Sequence, residues 1–112
     1  MIPPIPRYLL PHTVTLINKL ESDGWGGSAS EQRTTINFVY MEPCISKKFS
    51  LSGDIPEARA KLIFDAYSSV PGDVSFNRGD KVIFESEEYV ISEVQTFYGD
   101  TSKVHHLEVL LK

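Results

Sequence analysis

Apolar and polar positions alternate with a period of two through most of this chain, in short runs separated by turn residues. Such alternation sends successive side chains to opposite faces, so each run reads as a strand with one face toward a core. His12 to Leu20 sets Val14 and Leu16 against Thr13 and Thr15. Arg33 to Met41 sets Ile36, Phe38 and Tyr40 on one face and Thr35, Asn37, Val39 and Met41 on the other. Lys61 to Tyr67 opposes Leu62 and Phe64 to Ile63, and Val74 with Phe76 forms a short bridge between the turn clusters Ser68 to Asp73 and Asn77 to Asp80. Lys81 to Glu85 and Glu88 to Phe97 read as a hairpin about a Ser86-Glu87 tip, and Lys103 to Leu111 alternates Leu107, Val109 and Leu111. The tip lacks the Asn-Gly or Asp-Gly that favours a type I′ turn, so its geometry stays open.

About six strands and almost no helix predict a mainly β, single-domain antiparallel barrel, because an open sheet of this length would present a free edge. Three stretches fall outside the strands. Residues 1–11 are an extended Pro-rich arm: Pro3, Pro4, Pro6 and Pro11 lack the backbone donor and fix φ near the polyproline value. The arm either frays or lays Ile2, Ile5, Tyr8, Leu9 and Leu10 on the barrel or on a neighbouring subunit. Residues 22–32 form a Gly- and Ser-rich flexible loop whose Trp25 serves as a lid or as a partner contact. Residues 44–59 form a long loop in which Asp54 could cap one helical turn over 55–59. A loop this long in a compact domain is usually functional or disordered, which makes it a first place to look for a role.

Composition narrows the classes. A chain of 112 residues fits one domain, burying roughly two-thirds of its unfolded surface. Fifteen acidic residues against 11 basic give a net charge of −4, and the bases are scattered, so the footprint of a nucleic-acid binder is missing. With Cys44 as the one cysteine, no intrachain disulfide or zinc-finger spacing is available. No apolar h-region and no run of about 18 apolar residues occurs, so we expect neither a signal peptide nor a membrane span.

Candidate chemistry is sparse. His105 and His106 are adjacent, so in a regular strand they point to opposite faces and cannot grip one metal; one is expected solvated and the other under the arm. Glu85, Glu87, Glu88 and Glu93 cluster at a hairpin tip, which supplies no cleft for acid–base work and reads as a solvated or partner-facing patch. Nothing near Cys44 in sequence would lower its pKa, and Gly24 to Gly27 lacks the lysine and helix of a phosphate loop. Gly79-Asp80 reads as turn chemistry. We therefore expect no catalytic residue, no cofactor, no metal and no enzymatic activity.

The chain resembles the small minor capsid proteins encoded in tailed-phage and prophage head-morphogenesis operons of low-GC Gram-positive bacteria, which are similar to head-completion or head–tail connector proteins. The resemblance runs from the Pro-rich lead into His12-Thr13-Val14 through Gly24-Trp25-Gly26, Met41-Glu42-Pro43 and Leu62-Ile63-Phe64-Asp65. It continues with Ser69, Pro71, Phe76, Gly79-Asp80, Val82, Phe84 and Tyr89-Val90, and closes with His105-His106-Leu107-Glu108-Val109. The Ser86-Glu87 tip departs from it, where Asn or Gly is expected. The resemblance implies a barrel subunit, monomeric before assembly, that forms a homo-oligomeric ring below the portal. That ring seals the filled head and presents a surface for the tail, in the virion and, during assembly, in the host cytoplasm.

Its partners would be other phage structural proteins, met through the arm and the two loops, with Tyr8, Trp25, Lys47, Lys48 and Arg59 as partner-binding residues. Lys47, Lys48 and Arg59 are the bases of the 44–59 stretch, so any DNA contact there would be electrostatic and sequence-blind. The alternative is a small barrel that binds carbohydrate or single-stranded nucleic acid with Tyr40, Trp25, Tyr89 and Tyr98 as stacking platforms.

Overall fold

Strands form wherever the sequence alternates. In a computed structural model the chain is described at residues 3–20, 30–50, 53–100 and 102–112, with residues 20, 30, 44–50 and 53–57 described for the backbone only. The strands are β1 (His12–Leu20), β2 (Ser30–Ser50), β3 (Gly53–Asp65), β4 (Lys81–Phe84), β5 (Glu87–Tyr98) and β6 (Val104–Leu111). All neighbours are antiparallel in the order β1-β2-β3-β6-β5-β4, and β4 returns to β1 to close the sheet. The barrel is unevenly formed: its closing seam runs only from Thr15 opposite Ile83 to Ile17 opposite Lys81. Among the described residues the one helical element is a 3-10 turn, Arg7–Leu9.

The inward faces of all six strands meet in one core that includes Val14, Leu16, Ile36, Val39, Leu62, Phe64, Val82, Ile91, Val109 and Leu111. The connection from β3 to β4 adds Phe76, packed edge-on against Phe64 at 5.2 Å between ring centres. Val74 and Phe76 join the two turn clusters as a short bridge without regular pairing; Val70 makes an isolated bridge to Asn37, with N···O distances of 2.8 and 3.0 Å.

The face assignment of β2 differs from strict alternation. Ile36, Val39 and Met41 are buried, whereas Phe38 and Tyr40 are half-buried. His12 pairs with Val39 and Thr13 with Asn37, so Phe38 is the extra residue of a β-bulge, with φ at +60°. One inserted residue reverses which positions face inward beyond it.

Residues 44–59 were expected to be a loop with one helical turn; of these, 44–50 and 53–59 are strand. β2 and β3 stay paired as far as Ser50 opposite Gly53, with register shifts near Ser46. Pairing of β1 with β2 ends at Val39, and pairing of β6 with β3 ends at Ala60. The hairpin therefore continues past the barrel as a two-stranded ribbon. A ribbon has no third strand to define a buried face, so its sequence carries little alternation beyond Phe49-Ser50-Leu51-Ser52, and Pro43 and Pro56 are tolerated where outer edges need no donor. Trp25 and most of the 22–32 loop lie outside the described residues; 30–32 begin β2.

The β4–β5 tip is Glu85-Ser86, one position earlier than expected, and both residues have positive φ (50° and 65°). That is the requirement of a type I′ turn, met here without Asn or Gly. Gly79 has φ +93°, and a Cβ there would meet nothing within 4 Å. Gly79→Ala is thus expected to cost about 1–2 kcal/mol purely through backbone strain, read as a lowered urea midpoint with an unchanged slope. Asp80 beyond it bonds across to β1: its carboxylate accepts from Asn18 Nδ2 at 2.8 Å and from the Lys19 amide at 3.2 Å.

Candidate functional site

A proline-rich arm has few backbone donors: the amides of Leu9 and Leu10 close its own 3-10 turn on Pro6 and Arg7, and that of Ile5 fastens it to the barrel. Ile5, between two prolines, donates its amide to Asp65 Oδ2 at 2.9 Å and accepts from Ser68 Oγ at 2.6 Å. Arg7 donates from Nε to the Ser68 carbonyl at 3.3 Å and lays its guanidinium 4.3 Å over the centre of the Phe38 ring. Leu10, 2% exposed, then leads into β1. At the other end the Pro3 carbonyl oxygen lies 2.7 Å from His105 Nε2. Residues 3–11 are docked on their own barrel, with Leu10 buried and Ile5 half-buried, while Tyr8 and Leu9 stay exposed and Ile2 lies outside the described residues.

Asp65, fully buried, is the hub. Besides Ile5, its carboxylate accepts the amides of Tyr67 and Ser68 at Oδ1, both at 2.8 Å. Ser69 Oγ accepts the Asp65 amide at 2.9 Å and donates to the Phe38 carbonyl, tying the bulge to the turn. Sequence reading passed over Asp65. The signal was there in Asp65-x-x-Ser68-Ser69: an aspartate whose carboxylate bonds amides two and three residues on is an Asx-type turn.

The arm follows the apolar surface. The exposed large apolar residues among those described are Tyr8 (80%), Leu9, Tyr67, Val70, Phe97 and Tyr98. Tyr8 and Leu9 sit on the arm, and Tyr67 and Val70 on the turn that holds it. Phe97 stacks on His106 at 4.8 Å, with Tyr98 next in β5. A pocket of about 380 Å³ opens where Arg7, Tyr8 and Leu10 face Asn37 and Phe38.

His105 and His106 do not point to opposite faces. Phe97 pairs with His106 and Tyr98 with Val104, so His105 is the extra residue of a second bulge, and the two rings meet Nδ1 to Nδ1 at 2.9 Å. His106 Nε2 faces Glu108 Oε2 at 3.1 Å, and Glu108 Oε1 pairs with Lys61 at 3.0 Å. Burial pushes the Glu108 carboxyl up, but hydrogen bonds from Lys61 and His106 outweigh it and hold it below its ordinary value. His105 lies against the arm, as expected of one of the pair. Among the described residues no group of three potential ligands forms a metal cluster.

Arg59 is engaged within the chain. Its guanidinium pairs with Glu87 at 2.9 Å, donates to the Glu88 carbonyl at 3.2 Å and covers the Tyr89 ring at 4.6 Å, bracing β3 against the β4–β5 hairpin. Hydrogen bonds from Arg59 and then Tyr89 hold the Glu87 carboxyl low, while burial and the bond to Glu87 push the Tyr89 phenol up. Glu88 pairs with Lys81 at 3.0 Å, so the acidic tip is partly compensated. The tyrosines suggested as stacking platforms are dispersed: Tyr89 is in the core, Tyr40 packs on His12 at 5.4 Å, and Tyr98 is exposed on β5. The side chains of Lys47 and Lys48 lie outside the described residues; their backbone belongs to the ribbon.

A docked arm bordered by exposed apolar groups and a ribbon with open edges are features of a protein that works by contact with other proteins. The family model of the minor capsid protein matches residues 6–111, and the chain belongs to that family. It is accordingly a phage structural protein of the virion, with other phage structural proteins as its partners. No curated protein and no solved structure matches it. Among the described residues, no helix is long and apolar enough to cross a membrane.

Proposed function

We propose that the protein is a head–tail connector, or head-completion, subunit. It forms a homo-oligomeric ring that joins the portal region to the tail and retains packaged DNA. The observation that carries this reading is the ribbon of β2 and β3 projecting beyond the closed part of the barrel. Two strands alone are marginal in water, and their outer edges offer unpaired backbone groups that a neighbouring subunit can meet. The apolar band along the arm, led by Tyr8, supplies a second contact, and Trp25 on the β1–β2 connection a third. Lys47 and Lys48, opposite Pro56 and Ile55 on the ribbon, bring positive charge to an acidic subunit, for a contact with DNA backbone that ignores sequence.

Replacing residues 47–56 by Asn-Gly tests the reading, because every core residue among those with described side chains lies outside that segment. Phage carrying the shortened subunit should accumulate DNA-filled heads without tails, or heads that have leaked, in electron micrographs, while the purified subunit keeps its β-sheet circular dichroism. Tailed virions at normal titre would refute the connector role. Replacing only Lys47 and Lys48 by Gln should loosen DNA retention; unchanged infectivity in that variant removes the DNA contact and leaves the ring.

A further inference from the structure

The two Nδ1 atoms of His105 and His106 are 2.9 Å apart, and each far nitrogen faces an acceptor: the Pro3 carbonyl at 2.7 Å and Glu108 Oε2 at 3.1 Å. A carbonyl and a carboxylate offer only lone pairs, so both Nε2 atoms must carry hydrogen. A neutral imidazole has a single N–H. With both spent outward, two Nδ1 lone pairs would confront each other at hydrogen-bond distance, and one additional proton between them converts that clash into a bond. We propose that His105 and His106 form a proton-binding site that latches the N-terminal arm, the pair carrying one shared positive charge while Pro3 is docked.

The proton comes from solvent and returns to it, and only N–H bonds are made or broken. When the arm is undocked, His105 Nε2 meets water, which takes either role, so a neutral pair can move its hydrogen to Nδ1 without loss. When the arm is docked, moving it forfeits the bond to Pro3 or sets a lone pair of His106 against Glu108. Docking therefore takes up a proton: the latch holds at low pH and weakens as pH rises through the range where histidine loses its charge.

The charged groups around the pair are Glu108 on its own strand and Lys61 and Asp65 on β3. Asp65 is cross-strand from His106, but its carboxylate is committed to Ile5, Tyr67 and Ser68. From β5 come Phe97 and Tyr98, and in the β5–β6 connection Asp100 and Lys103 have contacts of their own. His12 stands apart from the pair, its Nδ1 accepting the Met41 amide at 2.9 Å.

The test uses the full ¹⁵N-labelled chain with EDTA present. Long-range ¹H–¹⁵N spectra report the histidine nitrogens, and exchange protection of the Ile5 amide, corrected for the intrinsic pH effect, reports docking. Between about pH 5.5 and about pH 8 that protection should fall about fivefold, the worth of one hydrogen bond, together with the loss of the shared Nδ1 proton. His106→Phe keeps the stack on Phe97 and frees His105 to stay neutral with hydrogen on Nε2, so its arm should be docked at both pH values. Protection that does not change with pH in the natural chain, or a pH response that survives in His106→Phe, would overturn the latch. So would spectra of the natural chain showing both rings as neutral Nε2–H tautomers while Ile5 is protected, a readout independent of any variant.

Discussion

Replacing Asp65 by alanine is expected to lower the unfolding free energy by about 4 kcal/mol, because three amides lose a charged acceptor at once. The carboxylate is fully buried and takes Ile5 at one oxygen and Tyr67 and Ser68 at the other. The division between oxygens makes a finer experiment possible. In Asp65→Asn the amide oxygen can still accept Tyr67 and Ser68, whereas the amide nitrogen, a donor, faces the Ile5 N–H. The turn should then survive and the arm should let go, with a loss of about 1–3 kcal/mol confined to the arm. Hydrogen exchange at Ile5 and aminopeptidase cleavage of residues 3–9 measure the release, and urea unfolding measures the remainder. If Asp65→Asn leaves Ile5 as protected as in the natural chain, the carboxylate is not what holds the arm.

Both legible and illegible parts of this fold have the same cause. Period-two alternation located β1 from His12 to Leu20 and grouped Leu62 with Phe64, because most of those strands have one dry face and one wet face, broken only where Ile17 beside Leu16 and Asp65 beside Phe64 are buried as well. It failed at Phe38 and at His105, where a bulge adds one residue and alternation resumes on the other face. Neither residue is a glycine or an asparagine, so nothing in its type announced a change of backbone. The ribbon was missed for a different reason: beyond Val39 and Ala60 neither β2 nor β3 pairs with a third strand, so no sustained alternation marked it out.

The site suffers twice over from the bulges. Arg7 can lie on Phe38 only because the bulge turns that ring half outward. His105 can touch His106 only because the second bulge brings both rings to one side. The residues that matter for the arm were thus in view in the sequence, but their mutual placement depended on two local departures from the regularity used to read it. Tyr8 depends on neither bulge: on a proline-rich arm with no core to enter it is 80% exposed, the disposition its proposed contact role requires.

Ser69 shows how much rests on the first bulge. It is nearly buried, and its hydroxyl accepts the amide of Asp65 while donating to the carbonyl of Phe38. Ser69→Ala removes both bonds without removing volume that water could fill, so a buried amide and a carbonyl lose their partners together. The expected cost is about 2–4 kcal/mol by urea unfolding. Because the bond to Phe38 is what ties the bulge to the turn, the variant should also lose the Arg7 contact, seen as a shift of the Arg7 Nε resonance away from its ring-shielded position. Combining Ser69→Ala with Asp65→Asn should cost less than the sum of the two, since residues of one hydrogen-bonded network are not independent. Strict additivity in that cycle would mean that the bulge and the arm are held separately, and that Phe38 owes its conformation to something other than its bond to the turn.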